Sequence, residues 1–324
     1  MNSLNVAVIT NGHYYLSIKL AKRLLQQGFH VILGKYNDLI NLIYSNSSLA
    51  GRFDLPKLSQ LVKLERQHSE LSYRFELMDL NMLSFDSIKV FAQRLLIKGL
   101  YINNLILMNF NQNINSLISV KSNTQTIQDT IMNAQYYGPY LLTSLLWDKL
   151  CHSTPSRVIN IGWGKFNKIQ YLVKRPDFDP DQKYNLNLNR IRELGQLYTL
   201  LNASHLNNHY DQNRQLPEFV TLCPNQVIMT SMYNSLKSKS TITNTISKPI
   251  LNKITLEFIL QLFICINTDL RKLPIHKNYE SKMYRSQPTS CTWVYKNKQW
   301  NLVHFDQVKV QLIQCHTKNK LDLS

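Results

Sequence analysis

The chain repeats one pattern: a short, uninterrupted run of apolar residues, followed by a segment whose apolar residues recur at helical spacing. The first run, Val6–Thr10, precedes a helical pattern that ends at Gly28, and a second run follows at Phe29–Gly34. A strand that is apolar throughout is typical of a parallel sheet covered by helices on both faces. A strand, a helix and a second strand within about 30 residues predict the βαβ unit of such a sheet.

The alternation continues along the chain and defines the expected fold. It predicts further strands at 73–78, 104–108, 157–161 and 218–222, with helices at 87–99, 126–150 and 187–207. We therefore expect an α/β protein with a doubly wound parallel sheet, Rossmann-like and three-layered (α/β/α), in a single domain. Residues 1–235 would hold this core. Residues 236–324 would complete the same domain with a helix near 255–267, a last strand near 275–280 and a basic tail.

Composition excludes several classes of protein. With 44% hydrophobic residues, 9 Gly and 10 Pro in 324 residues, the chain is neither disordered nor collagen-like. No window contains the roughly 20 uncharged apolar residues that a transmembrane helix needs. The N-terminus lacks the basic and apolar stretches of a signal peptide, and the five cysteines are odd in number and widely spaced. These features favour a reducing compartment, and we expect a cytoplasmic protein.

The chain is strongly basic, with 37 Lys and Arg against 20 Asp and Glu, for a net charge of +17. About half of the excess lies in residues 235–324, where 14 basic residues face 5 acidic ones. Their spacing is dispersed, and no basic run is interleaved with aromatic residues. This pattern predicts a solvated basic surface rather than a nucleic-acid site. Binding of nucleic acid or of an anionic membrane remains an alternative.

Two consecutive segments carry a family resemblance. Asn133–Leu150 resembles the N-x-x-G-x-F-x-L-T-x-L-L-x-x-x-L helix of short-chain dehydrogenases/reductases, and Ser156–Ile161 resembles the S-R-I-V-N-V-S-S strand that follows it. Both are closest to the retinol dehydrogenase-like branch, which includes the WW-domain-containing oxidoreductases. Shorter matches follow in the same order, at Phe178-Asp179, Leu197-Tyr198-Thr199, Cys223-Pro224-Asn225, Phe263–Ile266 and Lys277-Asn278-Tyr279. The resemblance implies a Rossmann sheet, an NAD(P) cofactor and hydride transfer.

In the family, a Thr-Gly-x-x-x-Gly-x-Gly turn after the first strand lets the backbone approach the cofactor pyrophosphate at a helix N-terminus. The corresponding segment here begins at Thr10, and the three glycine positions fall on Asn11, Tyr15 and Ser17. One glycine, Gly12, remains and is displaced by one position. The resemblance implies Thr10, Asn11, Gly12 and Ser17 as the phosphate-side residues, although the glycines that the turn requires are missing.

The adenosine side is better preserved. After the second strand, either Lys35 would face a 2′-phosphate or Asp38 would face a ribose. Asp79 and Leu80 match the Asp-Leu pair that flanks the adenine in the family. Asn109 is the one residue that matches the family's N-N-A-G segment. By resemblance these residues complete the cofactor-binding set.

The catalytic tetrad of the family is substituted throughout. In these enzymes a Tyr transfers the proton, a Lys lowers its pKa, a Ser orients the substrate and an Asn holds a water. The Asn position is Gln135, and the Ser position is Gly162 or Trp163. Alignment of the next helix puts Leu188 at the Tyr and Arg192 at the Lys. Leucine has no ionisable group, so we predict that proton transfer is lost.

We therefore expect a non-catalytic binding or scaffolding protein, a pseudoenzyme, with no cofactor unless an open crevice admits NADP or NAD. The alternative is an NAD(P)(H)-dependent oxidoreductase that acts on an apolar alcohol or carbonyl. In the family that the chain resembles, the helices corresponding to 126–150 and 187–207 commonly form a dimer, so the resemblance implies a second copy as the partner. An unidentified protein is the alternative. His205 and His209, four residues apart on one helix face, could bind a metal together with Asp211. No Glu supplies a His-Glu-x-x-His pattern and no Cys lies near, so no metal site is expected.

Overall fold

The structure is a computed structural model that describes residues 5–12, 15–35, 74–108, 127–153, 155–162, 188–208, 217–223, 244–267, 289–296 and 299–321. Its strands are β1 (Val6–Ile9), β2 (His30–Lys35), β3 (Phe75–Asp79), β4 (Asn104–Leu107), β5 (Arg157–Ile161), β6 (Glu218–Cys223), β7 (Thr289–Lys296) and β8 (Gln299–Asp306). Its helices are α1 (Tyr15–Gln26), α2 (Phe85–Ile97), α3 (Ile127–Met132), α4 (Gly138–Leu145), α5 (Trp147–Cys151), α6 (Leu188–Asn208), α7 (Asn244–Asn267) and α8 (Gln307–Leu321), with a π-helical turn (Asn133–Tyr137) between α3 and α4.

The strands form one eight-stranded sheet in the order β3-β2-β1-β4-β5-β6-β7-β8. Among the described strands, β1 to β7 run parallel to one another, and β8 runs antiparallel to its neighbour β7. The order of the first six strands, 3-2-1-4-5-6, is that of doubly wound nucleotide-binding folds, in which the order reverses between β1 and β4. The predicted doubly wound parallel sheet is confirmed.

Helices cover both faces of the sheet and create two core layers. Alternate residues of a strand point to opposite faces, so Val6 and Val8 of β1 enter one layer while Ala7 and Ile9 enter the other. The layer of Val8 also contains buried residues of α2, α4, α6 and α8, and we call it the α6/α8 side. The layer of Ile9 contains buried residues of α1 and α7, and we call it the α1/α7 side.

The C-terminal region differs from the sequence-based expectation. The region after residue 280 was assigned to a basic tail, but residues 289–296 and 299–321 form β7, β8 and α8. β7 pairs with β6, so this region extends the same sheet. The tail was inferred from charge, but β7 (TSCTWVYK) and β8 (QWNLVHFD) each contain one charged residue and several of the β-branched and aromatic residues that favour strands. The strand predicted near 275–280 lies outside the described residues.

The helix expected at 126–150 is interrupted in a way that its sequence explains. Pro139 has no N–H to donate to the carbonyl of Gln135 four residues earlier, so a regular α-helical ladder breaks here. A π-helical turn replaces it, in which the Gly138 N–H donates to the carbonyl of Asn133. The helix breaks again at Leu146, between α4 and α5. π-Helical turns often occur at functional sites, and Gln135, the residue at the family's Asn position, lies in this turn.

Helix α8 packs against this π-turn through two tyrosines. Thr317 donates its only hydroxyl hydrogen to the carbonyl of Ile313, so the hydroxyl of Tyr136 donates to Thr317 Oγ1 at 2.7 Å. The hydroxyl of Tyr137 lies 2.9 Å from His316 Nε2. α8 thus covers the surface of the helices that the expected homodimer would use. That homodimer stays a prediction, and α8 would have to be part of its interface.

The buried Tyr136 predicts a specific sensitivity to alkaline pH. Burial raises the pKa of Tyr136 well above its ordinary value, so the folded protein holds it neutral while the unfolded chain ionises near pH 10. Below about pH 10, the free energy of unfolding is unaffected by this difference in pKa. Above it, ionisation of Tyr136 in the unfolded chain lowers the free energy of unfolding by about 1.4 kcal/mol per pH unit. Tyr136→Phe should remove this slope from the free energy of unfolding, which urea titrations between pH 7 and 11 would measure.

The substitution should also cost about 1 kcal/mol at pH 7, because Thr317 loses its hydrogen-bond donor. Tyr101→Phe is the matched control, since Tyr101 is 54% exposed, and it should preserve the wild-type pH curve. Parallel pH curves for the wild type and Tyr136→Phe would contradict this prediction.

Candidate functional site

The turn after β1 lies at the carboxyl edge of the sheet, where doubly wound folds bind ligands. Thr10 is fully buried, and its Oγ1 accepts a hydrogen bond from the Met108 N–H at 2.9 Å. Asn11 adopts a left-handed backbone conformation, with φ of 53°, which asparagine tolerates better than most residues. Its side-chain Nδ2 donates to the carbonyl of Met108 at 2.6 Å. The first two residues of the turn are therefore tied to the end of β4.

Gly12 and Ser17 are also engaged within the protein. The Gly12 N–H donates to the carbonyl of Gly34 at 2.6 Å, and a Cβ on Gly12 would lie 2.4 Å from Leu33 Cγ. This glycine is required because β2 occupies the space. The hydroxyl of Ser17, in the first turn of α1, is fully buried and donates to the carbonyl of Asn11 at 2.9 Å. The four predicted phosphate-side residues thus meet in one turn, but their polar side chains bond to protein carbonyls and amides.

The adenosine-side residues meet at the ends of β2 and β3. Lys35 and Asp79 are in register on these neighbouring parallel strands, and Asp79 is exposed. The Leu80 N–H donates to the carbonyl of Lys35 at 2.7 Å. Leu80 itself is buried, and its Cδ2 would lie 2.6 Å from a Cβ on Gly34. Lys35 and Asp79 are therefore placed together as the sequence predicts, while Asp38 and Asn109 lie outside the described residues.

The tetrad-equivalent positions converge on α6. Gln135 is 4% exposed, and a Cβ on Gly195 of α6 would lie 3.1 Å from its Oε1. Neither side-chain amide atom of Gln135 has a hydrogen-bond partner among the described residues. A Cβ on Gly162, at the end of β5, would lie 2.4 Å from Nε2 of Gln196. Gly195 of α6 thus lies against Gln135 at the Asn position, and its neighbour Gln196 lies against Gly162 at the Ser position.

The Tyr and Lys positions, Leu188 and Arg192, lie in α6, and the structure describes only their backbone. Trp163 lies outside the described residues, so the Ser position is represented by Gly162. Gln196 was not identified from the sequence. Its spacing of one helical turn after Arg192 is the signal that could have pointed to it. Among the positions described with side chains, the tetrad region consists of Gln135, Gly162 and Gln196, without an ionisable group.

A small pocket lies on the α6/α8 side, between the sheet and the helices. Its lining includes Leu107, Tyr140, Asn160, Thr199, Asn202 and Phe219, and it has space for about one water molecule. Burial raises the pKa of Tyr140, which keeps this hydroxyl neutral. Asn202 Oδ1 is buried and has no hydrogen-bond partner in the described part of the chain. The pocket is too small for an organic substrate and suits an ordered water.

No group of three or more His, Cys, Asp or Glu side chains that could hold a metal ion occurs among the described residues. The side chain of His205 and the whole of His209 are not described. None of the described helices is long and apolar enough to cross a membrane.

No family model matches the sequence, and no curated protein matches it either. Solved structures with a similar fold include a short-chain dehydrogenase from Streptomyces avermitilis (13% identity, 69% of this chain and 66% of that one, TM-score 0.44). A metagenomic short-chain oxidoreductase in complex with NADP (16% identity, 72% and 89%, TM-score 0.45) is also similar. So is a putative short-chain dehydrogenase from Pseudomonas syringae (11% identity, 74% and 83%, TM-score 0.46).

These likenesses concern the fold. They involve the same family that the Asn133–Leu150 and Ser156–Ile161 motifs resemble, and they do not distinguish the retinol dehydrogenase-like branch. The observed strand order, 3-2-1-4-5-6 followed by a parallel seventh strand, is independent of any comparison. The chain is similar to these solved structures of short-chain dehydrogenases and oxidoreductases at TM-scores of 0.44 to 0.46.

Proposed function

We propose that this protein is a short-chain dehydrogenase/reductase-like binding protein that no longer carries out hydride transfer. The observation that supports this most directly is the turn after β1. In the family, glycines let backbone N–H groups face the pyrophosphate without side chains in between. Here the N–H of Gly12 faces β2 and bonds to Gly34, and the space beside Gly12 belongs to Leu33.

The side chains of the turn offer little to replace the missing glycines. Ser17 has a single hydroxyl hydrogen, which it donates to Asn11, so its hydroxyl cannot also donate to a phosphate. Asn11 donates one of its two amide hydrogens to the carbonyl of Met108. The described residues of the turn therefore do not fit a dinucleotide pyrophosphate in the manner of the family.

The tetrad region supports the same proposal. Gly162 carries no hydroxyl, and Gln196 occupies the space in which a side chain at this position would begin. Gln135 is directed at Gly195 and is buried. Leu188, at the Tyr position, has no proton to transfer. The described side chains of this region, those of Gln135 and Gln196, are neutral, which suits a structural role rather than proton transfer.

One arrangement favours the alternative, an NAD(P)(H)-dependent oxidoreductase acting on an apolar alcohol or carbonyl. Lys35 and Asp79 lie side by side at the carboxyl edge, beside the strand-order reversal where dinucleotides bind in such folds. α1 also begins just after β1, so its N-terminus is available to attract an anion. The two functions differ in a measurable property, the affinity for NADPH or NADH.

The test is titration of the purified protein with NADPH and NADH, followed by melting temperature and tryptophan fluorescence. A ligand with a Kd of about 1 μM stabilises a protein by about 4 kcal/mol at 1 mM, which raises the melting temperature by several degrees. We expect no saturable shift at millimolar cofactor. A saturable shift that Lys35→Ala/Asp79→Ala abolishes would overturn the proposal and establish cofactor binding at the carboxyl edge.

A further inference from the structure

The outer face of α7 carries an apolar stripe. Leu256, Leu260 and Ile264 follow one another at intervals of four residues, so they lie along one side of the helix. Their side chains are 57%, 55% and 40% exposed. Consecutive exposed leucine and isoleucine side chains on one helix face are unusual for a surface that meets only water. We call these residues the α7 stripe.

The opposite face of α7 is packed into the core, so the stripe sits on a fixed element. Phe258, Leu262 and Cys265 are fully buried in the layer that contains Val220 and Leu222 of β6. A helix that is apolar on both faces is normally covered on both faces. The sheet covers one face of α7, and the stripe is the face that an external partner would cover.

The same side of the molecule also carries a basic helix. α1 shares its core layer with α7, since Leu20 and Leu24 of α1 belong to the same buried cluster as Leu262 of α7. The outward residues Lys22 and Arg23 are exposed, and α1 contains no acidic residue. Apolar and cationic groups are therefore presented together on the α1/α7 side.

We propose that the α1/α7 side docks reversibly on an anionic lipid bilayer. The α7 stripe would enter the boundary between headgroups and acyl chains, while Lys22 and Arg23 would lie near the lipid phosphates. Stable attachment to a membrane surface generally requires two such signals, an apolar insertion and a basic patch. This inference is independent of the dinucleotide question, because none of the residues of the α7 stripe, nor Lys22 or Arg23, belongs to the turn after β1.

Charge favours a bilayer over a second copy as the occupant. Each chain carries +17, so two copies joined through this side would bring basic helices near each other. An anionic bilayer supplies a flat surface that is apolar inside and negative outside, which matches both features. The phosphates of a nucleic acid would pair with Lys22 and Arg23, but Leu256 and Leu260 would stay exposed to water.

The experiment is co-sedimentation of the full chain with vesicles of phosphatidylcholine alone and with 30% phosphatidylserine. We expect the affinity for anionic vesicles to be at least about tenfold higher than the affinity for neutral ones. The affinity for anionic vesicles should fall steeply between 0.1 and 0.5 M salt. Leu256→Ser/Leu260→Ser should weaken binding at least about tenfold, because two inserted leucines are lost. Lys22→Glu/Arg23→Glu should weaken it at least about tenfold through charge reversal.

Matched control variants lie on the opposite side of the sheet. Val90→Ser/Ile97→Ser removes two exposed apolar residues of α2, and Lys318→Glu/Lys320→Glu reverses two exposed charges of α8. Each should retain wild-type vesicle binding to within about twofold. Circular dichroism and melting curves establish that every variant is folded.

Three results would overturn the proposal. The first is the absence of binding to anionic vesicles. The second is binding to anionic vesicles that Leu256→Ser/Leu260→Ser leaves unchanged, whether or not this variant also binds oligonucleotides. The third is a dimer, detected by light scattering, that dissociates on Leu256→Ser/Leu260→Ser, since a second copy would then cover the stripe.

Discussion

Replacement of Gly138 by alanine should destabilise the protein by about 3 kcal/mol, although alanine is the better helix former. Gly138 begins α4 with φ of −63°, so its backbone accepts any residue and its conformation is not the reason for a glycine. A Cβ would lie 2.5 Å from the carbonyl oxygen of Met82 and 2.8 Å from that of Asn133. Both obstacles are backbone atoms, which cannot rotate away. The steric cost should therefore exceed the gain of about 1 kcal/mol in helix propensity.

Urea unfolding of Gly138→Ala measures this difference. Gly99→Ala is the control: its φ is 68°, and no atom lies within 4 Å of the added Cβ. It should cost about 1 kcal/mol through backbone strain alone. A Gly138→Ala variant as stable as the wild type would contradict the close packing of α4 against the Met82 carbonyl, in the segment after β3.

Replacement of Arg157 by alanine should cost about 3 kcal/mol, the lower end of the loss expected when one partner of a buried ion pair is removed, because the Glu218 side chain is 25% exposed. The Arg157 side chain is 8% exposed and forms an ion pair with Glu218, its in-register neighbour on β6. Its other terminal nitrogen donates to the carbonyl oxygens of Cys265 and Ile266 at the end of α7. The substitution would leave Glu218 unpaired and the last carbonyls of α7 without their donor.

Arg157→Lys separates charge from geometry. Lysine retains the positive charge but lacks the planar fork that reaches Glu218 and α7 at once, so an intermediate loss is expected. Amide hydrogen exchange in α7 should increase in both variants, because the cap of the helix is lost. A free energy of unfolding for Arg157→Ala within about 0.5 kcal/mol of the wild type would contradict the assigned contacts.

The central strands and helices were predictable because their signal is local. β5 was expected at Arg157–Ile161 and occurs there, and α6 was expected at 187–207 and occurs at Leu188–Asn208. The hairpin β7–β8 and helix α8 were missed. Their positions follow from pairing with β6 and packing on the π-turn, and both interactions involve residues distant in sequence.

In the candidate site, too, some features were predictable from the sequence and others were not. The missing glycines and the loss of an ionisable group at Leu188 are visible in the sequence, because they concern residue identity alone. What occupies the vacated space is not visible. Gln196 against Gly162, Gly195 against Gln135 and Leu33 against Gly12 are contacts that the amino-acid pattern does not contain.

The amino-acid pattern alone was sufficient for the order of the strands from β1 to β6 and the helices between them, since apolar periodicity within a segment reports which of its faces are buried. The tertiary structure decided which side chains meet: that Ser17 and Asn11 bond to the protein itself, that α8 covers the π-turn, and that the α7 stripe shares one side of the sheet with the basic α1. These facts depend on how segments far apart in the chain pack together. No property of a single segment encodes that packing.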